Sequence, residues 1–272
     1  MRSTPFKKIK SIFKIVLLVY VIGGIALYFL QGKILFHPKK LPPDHRYTFN
    51  LPFREINLAV NDQKVLGIVQ FTVPANECRG VVLYFHGNRN NIERYASYAI
   101  PFTRNHYEVW MMDYPGFGKS TGSRTEEIMY EDAARLYLMA RSRFAKDSII
   151  LYGKSLGSGI ASQLASIKDC RRLILETPYY SVDDLMSHYA FMYPARILSK
   201  YHFPTCQYLE KVEVPVSILH GTGDGIIPFS QSVKLKNKFP HIELVPIRGG
   251  GHNDLADFPR FQRGLDSLLN AQ

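Results

Sequence analysis

Gly153-Lys154-Ser155-Leu156-Gly157 sets a serine between two glycines, each two residues away. The apolar run Ile149-Ile150-Leu151 precedes it and a small-residue stretch beginning Ser158-Gly159 follows, which predicts a strand, a sharp turn and a helix. A serine aimed out of the end of a sheet sits on so tight a turn that side chains two positions either side would collide, and Gly153 and Gly157 clear that space. A helix starting at the serine would bring its free N–H groups and positive dipole end to where an oxyanion forms. That is the chemistry of acyl transfer. It needs an activated nucleophile, a base of near-neutral pKa, a carboxylate to orient the base, and donors for the oxyanion.

Each of these has a candidate. Ser155 is the nucleophile. Asp224, in His220-Gly221-Thr222-Gly223-Asp224, follows a predicted strand and is the acid. His252, in Gly249-Gly250-Gly251-His252, lies on a glycine loop after the last predicted strand and is the base. Any one of them could be an ordinary turn residue, but together they run in the order Ser…Asp…His, each after a strand. The N–H groups of Leu156 and Asn88 are the expected oxyanion donors, Asn88 following His86-Gly87 at the end of an apolar run. Other acids compete. Glu176 ends a strand near the site and could replace Asp224. Asp113 is expected to organise the turn at Tyr114–Gly118. Asp183 and Asp184 are expected to cap a helix, and Asp254 to N-cap the last one.

The elements that must position these groups follow from the patterning. Strands are predicted near 55–60, 65–72, 81–85, 107–113, 149–151, 172–176, 216–220 and 242–247. Helices are predicted over 91–104, 125–144 and 229–239, after Ser155, and from about 259 with an apolar face at Phe261, Leu265, Leu268 and Leu269. This alternation implies an α/β fold, a mostly parallel sheet with helices on both faces. Residues 181–214 break the rhythm, are rich in Tyr, Phe and Met, and read as a small helical cap. Its aromatic residues could line an acyl slot or merely seal the cap to the core.

Residues 15–32 carry no charge, and with Ile12, Phe13 and a snorkelling Lys14 they form an apolar stretch of roughly 30 Å at ~1.5 Å per residue. No small-residue cleavage site ends it, so an uncleaved transmembrane anchor is expected rather than a signal peptide. The expected divisions are residues 1–33 as tail and anchor, 34–54 as a Pro-containing tether, and 55–272 as the catalytic domain. Arg2, Lys7, Lys8, Lys10 and Lys14 stand at the front of the chain with no acid before residue 33. By the positive-inside rule this puts the N-terminus in the cytoplasm and the domain across the membrane. The same residues account for five of the +11 net charges, and no dense Lys/Arg block remains. Nucleic-acid binding is therefore not expected, whereas mild attraction to anionic lipid is. Cys78, Cys170 and Cys206 form no disulfide framework and no metal-ligand spacing. A Cys170–Cys206 bridge stays open, and neither a metal nor another cofactor is required.

With these residues assembled, the chain resembles the membrane-anchored serine hydrolases of the α/β-hydrolase superfamily. The matching motifs are Phe85–Asn88, Asp113–Ser120, Gly153–Gly157, His220–Pro228 and Gly249–Asp254. The resemblance covers about residues 34–272. Gly225 departs from it, standing where several relatives carry an acid. The resemblance implies a Ser155–His252–Asp224 triad acting on acyl esters, lipid-like ones in particular. Thioester or peptide cleavage on the same triad remains open, as does a catalytically silent binding protein. An aspartate would be needed at the elbow for epoxide or haloalkane chemistry, and Ser155 stands there instead.

Overall fold

The computed structural model describes residues 5–271. Arg2, part of the basic stretch, and Gln272, the end of the expected domain, lie outside them. Helix α1 (Pro5–Leu35) contains one segment, Lys8–Leu35, long and apolar enough to cross a membrane. Almost none of that segment is buried, so it is not a core helix. Beyond it, β1 (His37–Pro38) runs against the domain, pairing in parallel with β5 (Arg89–Asn90), and Lys40 bridges Gly118.

Strands β2 (Phe53–Asn61) and β3 (Lys64–Phe71) form an antiparallel hairpin, its turn held by Asn61 Oδ1 accepting the Gln63 N–H at 3.0 Å. β2 alternates in burial because it is the sheet edge, with one face towards solvent. β4 (Gly80–Phe85) is buried on both faces. Val81, Leu83 and Phe85 enter one core layer, Val82 and Tyr84 the other. The single helix expected over 91–104 is divided into α2 (Ile92–Tyr95), a 3₁₀ turn and α3 (Ile100–Arg104). Pro101 has no N–H to continue a helix and sits in the first turn of α3, where none is needed. β6 (Tyr107–Met112) follows, then α4 (Glu126–Arg141), whose N–H of Ile128 is capped by the Thr125 hydroxyl.

β7 (Ile149–Lys154), α5 (Leu156–Ala165) and β8 (Arg172–Glu176) make the central crossover. The cap comprises α6 (Val182–Tyr189), α7 (Ala195–Leu198) and α8 (Thr205–Tyr208). Its first helix is capped by Ser181, not by Asp183 or Asp184: Ser181 Oγ accepts the Asp184 N–H at 3.0 Å. The two acids fall within the first turn, where Asp183 meets His202 and Asp184 meets Lys234. β9 (Val216–Gly221), α9 (Ser230–Lys238), β10 (Glu243–Ile247) and α10 (Pro259–Asn270) complete the chain. α10 buries Phe261, Leu265, Leu268 and Leu269, the face expected.

The eight-stranded sheet runs β10-β9-β8-β7-β4-β6-β3-β2. β3 is antiparallel to both its neighbours, and the remaining pairs are parallel. The C-terminal ends of β4, β7 and β9 therefore open on one edge, where an open α/β sheet gathers its ligands. All three cysteines are free, so the Cys170–Cys206 bridge is not formed. Cys170 precedes β8 and donates to Arg172 O, while Cys206 belongs to the cap.

Candidate active site

Ser155 occupies the turn between β7 and α5 at φ 52° and ψ −117°, a backbone conformation costing on the order of 1–3 kcal/mol. Its N–H donates to Glu176 O at 2.9 Å, which ties the turn to the neighbouring strand. A methyl on Gly153 would strike the backbone of Gly157 and Ser158, and one on Gly157 would strike the Phe85 and His86 carbonyls. The two glycines are thus required by close backbone approach.

His252 reaches in from the loop after β10. Its Nε2 lies 3.0 Å from Ser155 Oγ and its Nδ1 lies 2.7 Å from Asp224 Oδ2. Asp224 is fixed in turn: its Oδ1 accepts the N–H groups of Ile226 and Ile227 at 2.8 Å each. Burial would push the Asp224 carboxyl up, but hydrogen bonds from His220 and His252, the charge of His252 and the Ile227 N–H outweigh it. The carboxyl is held well below its ordinary range and is ionised at neutral pH.

The expected oxyanion donors flank the serine. Neither Asn88 N–H nor Leu156 N–H donates to another backbone group among the described residues. The Asn88 side chain is engaged elsewhere, donating to Leu35 O at the end of α1 at 2.6 Å, and Asn88 O accepts the His37 N–H at 2.9 Å. A cavity of about 170 Å³ opens over these groups, lined by Gly87, Asn88, Ser155, Ile226 and His252 among others.

Several acids take other places than those expected. Glu176 is paired with Lys154, both wholly buried, and accepts from Tyr152 Oη at 2.5 Å, so it does not meet His252. Asp113 does pack on Gly118, in the turn expected of it; it also accepts the Ile92 N–H at 3.0 Å and lies 3.3 Å from His86, joining the loop after β4 to α2. Asp254 does not cap α10 but stands at the N-cap position of the 3₁₀ turn Leu255–Asp257, with no side-chain cap bond. Its Oδ1 accepts the Gly251 N–H at 2.7 Å, bracing the histidine loop, and Phe258 holds the cap position of α10.

Three further residues belong to the site. His220 lies 3.3 Å from Asp224 Oδ2 and is held by Ser232 Oγ at 2.6 Å and Ile227 O at 2.9 Å. Its signal in the sequence was its place four residues before Asp224. His86, fully buried, stacks on Tyr95 and contacts Tyr114, whose Oη donates to His86 O at 2.7 Å. Lys154 also donates to His252 O at 3.3 Å, which links the elbow to the histidine loop. Among the described residues no group of three or more His, Cys, Asp or Glu is placed to hold a metal ion.

The sheet order and the strand–turn–helix elbow are those of the α/β-hydrolase fold, and the comparisons of sequence and structure together support an α/β-hydrolase superfamily protein. A family described as serine aminopeptidase, S33 (Hydrolase_4) matches residues 76–208, a segment that includes Asn88 and Ser155 and ends before Asp224 and His252. The chain is 31% identical over 198 residues to alpha/beta hydrolase domain-containing protein 17C of Xenopus tropicalis, covering 71% of this chain and 62% of that protein. It is 31% identical over 198 residues to alpha/beta hydrolase domain-containing protein aho-3 of Caenorhabditis elegans, covering 70% and 58%. The chain thus spans about three fifths of the length of these relatives. A Pyrococcus furiosus esterase superposes with a TM-score of 0.63 at 17% identity, over 86% of this chain and 97% of that one. The thioesterase domain from the curacin biosynthetic pathway does so at 0.57 and 16%, over 81% and 100%. At these identities the two structures speak for the fold.

Proposed function

We propose that the protein is a serine hydrolase that cleaves carboxylic acyl esters, lipid-like ones in particular, through an acyl-enzyme. One observation carries the reading: a single imidazole bridges Ser155 Oγ at 3.0 Å and the Asp224 carboxylate at 2.7 Å. Asp224 orients His252 so that the Nε2 lone pair faces the serine. Ser155 Oγ attacks the substrate carbonyl as His252 takes its proton, and the charge moving onto the carbonyl oxygen is met by the N–H groups of Asn88 and Leu156. Each such donor is worth about 3 kcal/mol in the transition state. His252 then returns the proton to the leaving alcohol. Water repeats the sequence on the acyl-enzyme and frees the acid and Ser155. A thioester would pass through the same acyl-enzyme.

In this reading α1 anchors the enzyme in a membrane, with its basic flank on the cytoplasmic side. The test is labelling of the detergent-solubilised protein with a fluorophosphonate. Wild type is expected to label, and folded Ser155→Ala is not. Labelling of both alike, or of neither, overturns the assignment.

A further inference from the structure

The anchor helix does more than precede the domain: one side of its C-terminal half, from Tyr20 onward, touches the cap. At its C-terminal end Gln31 spans both partners of a cap turn, donating to Leu198 O at 2.5 Å and accepting the Lys200 N–H at 2.7 Å. Fifteen residues before Leu35, Tyr20 stacks on Tyr193 with ring centroids 4.7 Å apart and planes 11° from parallel. Tyr193 Oη donates to Tyr20 O at 3.1 Å, and Tyr20 Oη donates to Met192 O at 2.8 Å. Gly23 and Gly24 leave the space the Tyr193 ring fills; a methyl on Gly24 would come within 3.3 Å of that ring.

This packing sets the depth of the cap. Lys200 lies over the rings of Tyr28 and Phe29, an aromatic and basic cluster of the kind found where a helix leaves a bilayer. The Tyr20–Tyr193 contact is eight residues nearer the middle of the helix, about 12 Å deeper at 1.5 Å per residue. Phe191 and Met192, beside that contact, are 81% and 63% exposed, and Ile197 is 78% exposed. On the reading of α1 as a membrane-crossing helix, an apolar tip held alongside it at that depth would lie in hydrocarbon.

Between the helix and the cap runs a second cavity, of about 330 Å³, walled by Leu27, Ile34 and Leu35 on one side and Leu185, Met186 and Tyr189 on the other. Ile34 and Ile226 line both this cavity and the one that holds Ser155 and His252. The apolar groove therefore adjoins the cavity over the nucleophile, with Ile34 and Ile226 at the boundary. An apolar groove that borders the cavity of a carbonyl-attacking serine fits the hydrocarbon tail of an ester.

We propose that this groove is an acyl-chain subsite opening sideways into the bilayer, with the anchor helix as one of its walls. A long-chain ester would then present its carbonyl to Ser155 while its tail stays in the lipid phase. The inference rests on the hydrolase reading above and adds to it the occupant and its route.

The test uses the full chain in phosphatidylcholine vesicles. A fluorophosphonate with a long alkyl tail ending in a diazirine is reacted, irradiated and mapped by peptide mass spectrometry. Attachment at Ser155 with crosslinks in residues 27–35 and 182–190 is expected. Attachment at Ser155 with crosslinks elsewhere overturns the groove and leaves the hydrolase reading standing, whereas no attachment at Ser155 overturns both. In parallel, Leu185→Trp and Met186→Trp are compared on methylumbelliferyl palmitate and butyrate. The palmitate-to-butyrate ratio is expected to fall at least tenfold in each. An unchanged ratio in both refutes the groove as the acyl-chain subsite.

Discussion

Replacing Asp224 by asparagine tests the orientation of the base, because the structure dictates which way the new amide must lie. The Ile226 and Ile227 N–H groups, each 2.8 Å from Oδ1, require an acceptor there. The amide oxygen takes that place and the NH₂ falls at the Oδ2 position, 2.7 Å from His252 Nδ1. A donor facing Nδ1 makes that nitrogen the acceptor and moves the imidazole proton to Nε2. Nε2 then presents N–H, not a lone pair, to Ser155 Oγ at 3.0 Å. The wrong tautomer lowers kcat by on the order of 10⁴ in an enzyme built this way, or about 5.5 kcal/mol at 1.36 kcal/mol per decade. KM should hardly move, since Asp224 does not line the cavity over the serine. The assay is turnover of a short soluble ester by Asp224→Asn, with far-UV circular dichroism to verify folding. A kcat within tenfold of wild type would refute the assignment of Asp224 as the orienting acid.

Three other outcomes are expected. Lys154→Met strands the buried Glu176 carboxylate and should cost about 3–5 kcal/mol in chemical unfolding, most of it recovered on adding Glu176→Gln; no loss in the single variant would show that the pair is not coupled to stability. The Asp224 carboxyl has a depressed folded-state pKa, so its contribution is present above its unfolded value of about 3.9 and is lost as pH falls from there through the folded value. Acid unfolding of Asp224→Asn should accordingly be shallower than that of wild type below about pH 4, and parallel curves would contradict this. Burial pushes the Cys170 thiol up to about 12 and raises that of Cys206, so a maleimide should modify half-buried Cys78 first and reach the other two only after unfolding; rapid reaction of all three would speak against the packing around them.

Much of this site could be read from the chain because its demands are local. Two glycines around Ser155, a fully apolar β4, and loops following strands are consequences of backbone sterics and of burial on both sheet faces, and these act within a few residues. The α10 face was legible for the same reason, since helical periodicity alone selects Phe261, Leu265, Leu268 and Leu269. The partners of the acids were not. Glu176, Asp183, Asp184 and Asp254 each stand near a plausible local role, yet Lys154, His202, Lys234 and the Gly251 N–H claim them. His220 and His86 gave weak signals because their task is to hold other residues in place.

By itself the amino-acid sequence determined the α/β alternation, the elbow, the order of the candidate triad and an apolar stretch long enough to span a bilayer. Those features depend on residue type and spacing. Only the tertiary structure decided that His252 meets Asp224 and not Glu176, that the cysteines stay apart, and that α1 packs on the cap and walls a cavity bordering the one over Ser155. Such contacts join residues up to 173 positions apart, as Tyr20 and Tyr193 are. Their existence depends on how the sheet and helices close together in space, which no local spacing encodes.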